Sequence, residues 1–149
     1  MTQLVKIIAA VAFVATSATA QAQLKPEEML KLRQGLMVAH KSQVGPMSAV
    51  AKGEAPFSDA TVAQATTLAT ISRLIPAGFA PEAQNVGPTK AKPEIWHNRD
   101  EFKKRAEALA SEAAKLADVA QKKDVAAFKA QFAATTATCK ACHDTFRAQ

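Results

Sequence analysis

The chain has 149 residues, of which 48% are hydrophobic, 21% charged and 5% aromatic, and its formal net charge is +6 at pH 7. This ordinary globular composition excludes a disordered, collagen-like or multi-spanning membrane protein. The length fits one domain with its own hydrophobic core. Because alanine, lysine, glutamate, glutamine and leucine dominate over β-branched and aromatic residues, the sequence predicts an all-α fold.

The amino-terminal segment, residues 1–22, has the pattern of a secretory signal peptide. A positively charged start precedes the apolar run 7–15, and small residues follow it before a cleavage site near Ala22. The run is shorter than the about 20 residues that a membrane-spanning helix needs. The sequence therefore predicts an exported, periplasmic protein whose mature domain, residues 23–149, is not held in a membrane after the signal is removed.

The positive net charge does not indicate nucleic-acid binding. The lysines are scattered over predicted helical faces, without an arginine-rich run and without interleaved aromatic residues that could stack on bases. We attribute the charge to solubility and to attraction of acidic surfaces.

The first predicted helix begins at Pro26, because proline suits the first helical turn, and ends at Gly53. Gly45 and Pro46 predict a kink within it. Its predicted inner face recurs at steps of three and four residues: Leu30, Arg33, Met37, His40, Val44, Met47 and Ala51.

The second predicted helix is capped at Ser58 and Asp59 and stopped by Pro76. Its predicted inner face comprises Val62, Ala65, Leu68 and either Ile71 or Ile75. Residues 76–97 then exceed the usual length of a helix–helix loop, which predicts a crossover packed against the bundle. Phe79 and Trp96 are its expected anchors.

Two further helices are predicted in the carboxyl-terminal half. Asn98 and Glu101 resemble a capping box for the third helix, and Asp124 caps the fourth. Heptad positions of the third are Phe102, Ala106, Leu109, Ala113, Leu116 and Ala120, and the inner face of the fourth is Val125, Phe128, Phe132, Thr135, Cys139, Cys142 and Phe146. The sequence thus predicts an antiparallel four-helix bundle with a long loop between the second and third helices.

The two cysteines of the chain stand in one pentapeptide, Cys139-Lys140-Ala141-Cys142-His143. Cys-x-x-Cys-His is the attachment sequence of c-type haem, in which both thiols bond to the macrocycle and the imidazole reaches the iron. Residues at i, i+3 and i+4 share one helix face, so all three side chains can meet one flat ring.

Three other interpretations of this pentapeptide are less consistent with the sequence than haem attachment. A zinc site would need His40 or His97 as a fourth ligand, and neither has a recurrent spacing. A thioredoxin-like redox pair follows a strand in a βαβ pattern, which an all-α chain lacks. A disulfide between Cys139 and Cys142 would close a very small loop and stabilise the bundle little.

Placed near the end of the chain, this motif resembles that of the cytochrome c′ family, the class II c-type cytochromes. The resemblance spans residues 25–147, and the segments that carry it are 31–37, 52–57, 92–96 and 139–147. It implies a four-helix bundle, often a homodimer, that carries one covalent haem c per chain with His143 as the axial ligand of the haem iron.

The resemblance also implies roles for other side chains. Arg33 and Gln34 match positions that contact a haem propionate, and Met37 matches the position over the distal face. Arg147 matches a basic side chain near the proximal histidine. Phe79 is expected to pack beside the cofactor as part of the core, whereas His40 and His97 are interpreted as surface or structural histidines.

Met37 separates two functions. If it only crowds the iron, the haem is five-coordinate and high-spin and binds nitric oxide or carbon monoxide in an apolar pocket; this is the interpretation we favour. If its sulfur binds the iron, the protein is a low-spin electron carrier with a redox partner that the sequence does not identify. We find no catalytic pattern and place no distal histidine or arginine of the peroxidase type, so the sequence does not predict an enzyme.

Overall fold

The structure is a computed structural model and describes residues 24–149; the predicted signal peptide lies outside the described residues. Within that range the chain forms α-helices and short 3-10 helices and no strand, which confirms the all-α fold. No helix of residues 24–149 is long and apolar enough to cross a membrane. The helices are α1 (Pro26–Lys52), α2 (Asp59–Ser72), α3 (Glu94–His97), α4 (Arg99–Gln121) and α5 (Val125–Phe146).

The four long helices, α1, α2, α4 and α5, pack as the predicted four-helix bundle. α1 continues through Pro46, so the kink predicted there does not break the helix. It ends at Gly53, whose φ of 80° is a left-handed conformation that glycine adopts without a steric penalty. Asp124 caps α5 as predicted, because its carboxylate accepts a hydrogen bond from the N–H of Ala127 at 3.0 Å.

One predicted helix boundary and one predicted cap are wrong. α2 ends at Ser72 rather than at Pro76, because Pro76 starts a separate 3-10 helix, Ile75–Phe79, where its missing N–H costs nothing. α4 begins directly after Asn98 as predicted, but the side chain of Asn98 makes no capping hydrogen bond to it. Asn98 directly follows α3, where its N–H donates to the carbonyl of Glu94, and its φ of −124° and ψ of 59° differ from the extended conformation of a capping residue.

The connection between α2 and α4 is a structured crossover instead of a simple loop. It contains α3 and the 3-10 helices Ile75–Phe79 and Pro81–Ala83. Four of its carbonyl oxygens accept hydrogen bonds from side chains: Phe79 from Arg99 at 3.1 Å, Ala80 from Trp96 at 3.0 Å, Ala83 from Arg33 at 2.9 Å, and Pro88 from Gln34 at 3.1 Å. Phe79 is buried and Trp96 half-buried, so both expected anchors pack against the bundle.

The core has two parts. One, around Met47, Leu68 and Leu116, fills the end of the bundle where Phe57 meets Phe128 edge-on. The other, around Phe79, Phe102 and Phe146, lies at the opposite end, and Met37, Cys139 and Cys142 pack against it.

The predicted inner faces need small corrections. On α1, Met29, Leu36 and Val50 are buried in place of Leu30, Val44 and Ala51, which are partly exposed. On α2 and α5, Val62 is partly exposed beside the buried Thr61, and Val125 is exposed. A straight helix has 3.6 residues per turn, so its buried face drifts from a repeat of seven by about 20° per heptad.

Candidate functional site

The site lies at the Phe102 end of the bundle, in a cavity of about 790 Å³. Cys139, Cys142 and His143 all line it from α5, as the helical spacing predicts. The two cysteines are free thiols, so the disulfide alternative is absent here. Within residues 24–149 no three histidine, cysteine or acidic side chains converge in a way that could hold a metal ion by themselves.

Burial sets the protonation of these groups. It raises the pKa of Cys139 and of Cys142, for which the neighbouring Cys139 acts in the same direction and Arg105 opposes. His143 is an exposed residue, but partial desolvation of its ring, followed by the positive charge of Arg147, lowers its pKa below the ordinary value, while Asp144 opposes. His143 is therefore neutral at pH 7, which is the form that binds a metal.

Arg33 is a buried cation in the wall of this cavity. It is 3% exposed, although a charged side chain is seldom buried without a partner. One terminal nitrogen donates to the carbonyl of Ala83, and the guanidinium carbon lies 5.5 Å from the ring centres of both Phe79 and Trp96. The Nε and the other terminal nitrogen have no hydrogen-bond partner. This arrangement leaves donors for an anionic group such as a carboxylate.

The remaining predicted site residues lie around the cavity mouth. Gln34 is exposed and donates through Nε2 to the carbonyl of Pro88 at 3.1 Å. Arg147 is exposed and pairs through its backbone with Ala91 in an isolated bridge. Both line the cavity, as do the half-buried Met37 and the buried Phe79.

His40 is a cavity-lining residue that sequence reasoning did not place there. It is 8% exposed, so its interpretation as a surface residue is wrong, and its structural role is confirmed by two hydrogen bonds. Its Nδ1 lies 2.7 Å from the carbonyl oxygen of Leu36, and its Nε2 lies 3.1 Å from Oγ of Ser72. The predicted inner face of the first helix already includes Met37 and His40, but that pattern did not indicate that both line the cavity. His97 is exposed and does not line the cavity.

The charged side chains around the cavity are all basic among the described residues: Arg33, Lys41, Lys90, Arg105 and Arg147. Only Arg105 is paired, with Glu101 at 2.6 Å. They come from α1, the crossover, α4 and the end of the chain, so their convergence was not visible in the sequence. A cavity with such a rim attracts a ligand that carries negative charge at its edge.

Gly78 explains how Arg33 fits beneath the crossover. A Cβ at Gly78 would lie 2.6 Å from Cβ of Arg33 and 3.1 Å from its backbone, so the 3-10 helix can approach α1 only through a glycine.

Gly78→Ala is therefore expected to lower the free energy of unfolding by about 1–3 kcal/mol, because the crossover has to move away from α1. Gly35→Ala is the matched control, since nothing lies within 4 Å of its Cβ position in α1, and a gain of about 0.5–1 kcal/mol is expected there. Chemical denaturation of both variants measures the difference. A Gly78→Ala protein as stable as the parent would contradict the close approach.

Together, two thiols and a neutral imidazole on one helix face, an apolar cavity and a buried unpaired cation define a haem-binding four-helix bundle. A family model described as "Cytochrome C'" matches residues 28–147. A cytochrome c' of Alcaligenes xylosoxydans xylosoxydans is 36% identical over 124 residues, which cover 83% of this chain and 95% of the relative. The chain belongs to the cytochrome c′ family.

Two solved structures resemble the fold of this chain. The crystal structure of cytochrome c' from Rubrivivax gelatinosus matches with a TM-score of 0.79 and 30% identity, over 83% of this chain and 98% of that one. A nitric oxide complex of a cytochrome c prime mutant from Alcaligenes xylosoxidans matches with a TM-score of 0.77 and 36% identity, over 84% and 98% of the two chains. The family implies a c-type haem, and the unpartnered nitrogens of Arg33 and the facing thiols fit that group.

Proposed function

We propose that this protein is a periplasmic c-type haem protein that binds small diatomic gases, nitric oxide and carbon monoxide. The observation that carries the proposal is the placement of Cys139, Cys142 and His143 on one face of α5 in a single cavity. The thiols would hold one haem c per chain through thioether bonds, and the neutral imidazole of His143 would be the axial ligand. The proposed role is binding or electron transfer, not enzymatic turnover.

The basic residues of the cavity would orient the haem. Arg33 has two unpartnered nitrogens that can donate to a propionate, and its stacking on Phe79 and Trp96 holds the guanidinium in place. Two exposed polar side chains also line the cavity. Gln34 belongs to α1 and Lys90 to the crossover. Arg147 adds its positive charge near His143, where it favours the neutral imidazole.

Met37 would form the distal wall opposite His143. A bound haem would supply the iron that holds a gas, and the thioether of Met37 would crowd the space beside it without binding the metal. The apolar residues Ile75, Phe79 and Leu109 line the same cavity and favour an uncharged ligand. A similar protein has been solved as a nitric oxide complex, which supports the same class of ligand here.

The alternative is a low-spin electron carrier in which the sulfur of Met37 is the sixth ligand and an unidentified redox partner exchanges electrons with the haem. One observation favours it: Met37 and His143 line the same cavity from different helices. A methionine is a common axial ligand in electron-carrying cytochromes.

The absorption spectrum of the ferrous protein, before and after carbon monoxide, separates the two functions. We expect a high-spin spectrum that shifts when the gas is added. Met37→Leu removes the sulfur at nearly constant volume, and Met29→Leu, at a buried α1 position outside the cavity, is its control. Neither substitution is expected to change the spin state. Low-spin bands that do not change when carbon monoxide is added, and that disappear in Met37→Leu but not in Met29→Leu, would establish the low-spin electron carrier.

Two further elements of the proposal concern the whole protein. Export through the signal peptide of residues 1–22, with cleavage near Ala22, would deliver the chain to the compartment where c-type haem is attached. The homodimer that the family resemblance implies remains a prediction. The exposed Val38 on α1 is one apolar side chain that such an interface could cover.

A further inference from the structure

We infer that Ser72 determines which ligands the cavity accepts, because it engages the imidazole of His40 and so keeps a base out of the ligand space. His40 lines the cavity, yet both of its ring nitrogens are bonded elsewhere. The inference deepens the proposed function, since the ligands concerned are those of the same haem cavity. Ser72 acts as a positioning residue, through His40.

The hydrogen bonds define the form of the imidazole. The carbonyl oxygen of Leu36 can only accept, so Nδ1 of His40 carries the proton and donates across 2.7 Å. Burial lowers the pKa of His40 below its ordinary value, although the bond to Leu36 opposes this, and the ring is neutral at pH 7. Nε2 is therefore a lone-pair acceptor, and Oγ of Ser72 at 3.1 Å is its donor.

Ser72 is well placed to hold this nitrogen. It is 1% exposed near the end of α2, so water does not compete for its hydroxyl. Its hydroxyl can also donate to the carbonyl oxygen of Leu68 at 2.7 Å, but that oxygen is already the regular acceptor of the helical N–H of Ser72. The hydroxyl can thus donate to Nε2 without leaving Leu68 unpaired. The bond joins α1 to α2 behind the cavity wall.

The other ionisable groups that face this space cannot replace His40 as a base. Arg33, Lys41, Lys90, Arg105 and Arg147 are cations at pH 7 and donate hydrogen bonds only. His143 would be committed to the iron. Among the described lining residues, Nε2 of His40 is thus the remaining nitrogen that could take up a proton at neutral pH.

This arrangement discriminates by the proton that a ligand brings. Nitric oxide and carbon monoxide carry no proton, so the hydrogen bond between Ser72 and Nε2 does not lower their affinity. Hydrogen cyanide binds as its anion, so its proton has to pass to a base. If Nε2 of His40 is available, it takes this proton, and the resulting imidazolium can hydrogen-bond to the cyanide anion. Without the hydroxyl of Ser72, a buried Nε2 lacks a partner, and that cost favours rotation of the ring toward the cavity.

Cyanide binding to the ferric haem-loaded protein tests the inference. We expect Ser72→Ala to raise cyanide affinity about tenfold, the effect of one added hydrogen bond to a charged group. Thr70→Ala is the matched control, because Thr70 is an exposed α2 residue whose hydroxyl makes the same type of bond, to the carbonyl of Thr66 at 3.0 Å. The Thr70→Ala variant should bind cyanide with the affinity of the parent. The double variant Ser72→Ala with His40→Phe, which has no imidazole at position 40, should do the same.

The nitrogen NMR shift of Nε2 in the ferrous carbon monoxide complex is the second measurement. It should change in Ser72→Ala and remain unchanged in Thr70→Ala, because only Ser72 bonds to that nitrogen. An unchanged shift would overturn the inference, and so would cyanide affinity in Ser72→Ala equal to that of the parent. A gain in cyanide affinity in the double variant equal to that in Ser72→Ala would also overturn the inference. The space left by the hydroxyl of Ser72, and not the imidazole of His40, would then explain the gain. Failure of the parent to bind carbon monoxide would overturn the proposed function, while the ratio of cyanide affinities would still test the inference.

Discussion

Replacement of Cys139 and Cys142 together with serine is expected to abolish covalent haem attachment. Both sulfurs line the cavity from one face of α5 and neither is used in a disulfide, so they are available for thioether bonds. After denaturation and extraction with acidic organic solvent, the haem of the parent should stay with the polypeptide. The haem of the double variant should pass entirely into the solvent.

Thr138→Ala is the control for this experiment. Thr138 precedes Cys139 on α5, and its hydroxyl donates to the carbonyl of Thr135 at 2.6 Å without lining the cavity. Haem should remain attached in this variant. Extraction of haem from the parent itself would show that the thiols do not form thioether bonds and would remove the basis of the proposed function.

Arg33→Leu is expected to lower the free energy of unfolding of the haem-loaded protein by about 3 kcal/mol, because a buried propionate would lose its cationic partner. The reduction potential should fall as well, since a buried cation favours the more negatively charged ferrous form. Chemical denaturation and a redox titration measure the two effects.

Lys31→Leu removes the same charge from an exposed position on the same helix and is the matched control. A change within about 0.5 kcal/mol is expected there, because water and salt screen an exposed charge. If Arg33→Leu were more stable than the parent, the guanidinium would have no anionic partner, because removal of an unpaired buried charge relieves a desolvation cost.

The helical architecture was predictable because it depends on local patterns. The apolar repeats of α4 and α5, the cap at Asp124 and the glycine at Gly53 each identify an element within a short stretch of chain. The errors fall where neighbouring elements compete for a residue. Asn98 follows α3 and precedes α4, and its side chain makes no capping hydrogen bond to α4.

The candidate site was predictable to the extent that it lies on one helix. The motif that ends in His143 places three reactive side chains on one face of α5, and helical geometry alone requires this. Arg33, Met37 and Arg147 entered through a family resemblance, and the structure brings them to the same cavity as His143. The helical repeat placed His40 on the inner face of α1, but a repeat does not show which side chain a buried histidine bonds to.

The sequence by itself determined an all-α chain with a c-type haem motif on its last helix, because both depend on residues at most a few positions apart. Only the tertiary structure decided the burial of Arg33 beneath Ala83 and Gly78, and the pairing of His40 with Ser72. These contacts join α1 to segments that are distant along the chain. Whether a polar group is buried, and which partner it then finds, depends on how the helices and the crossover pack, and no local period of the sequence encodes that packing.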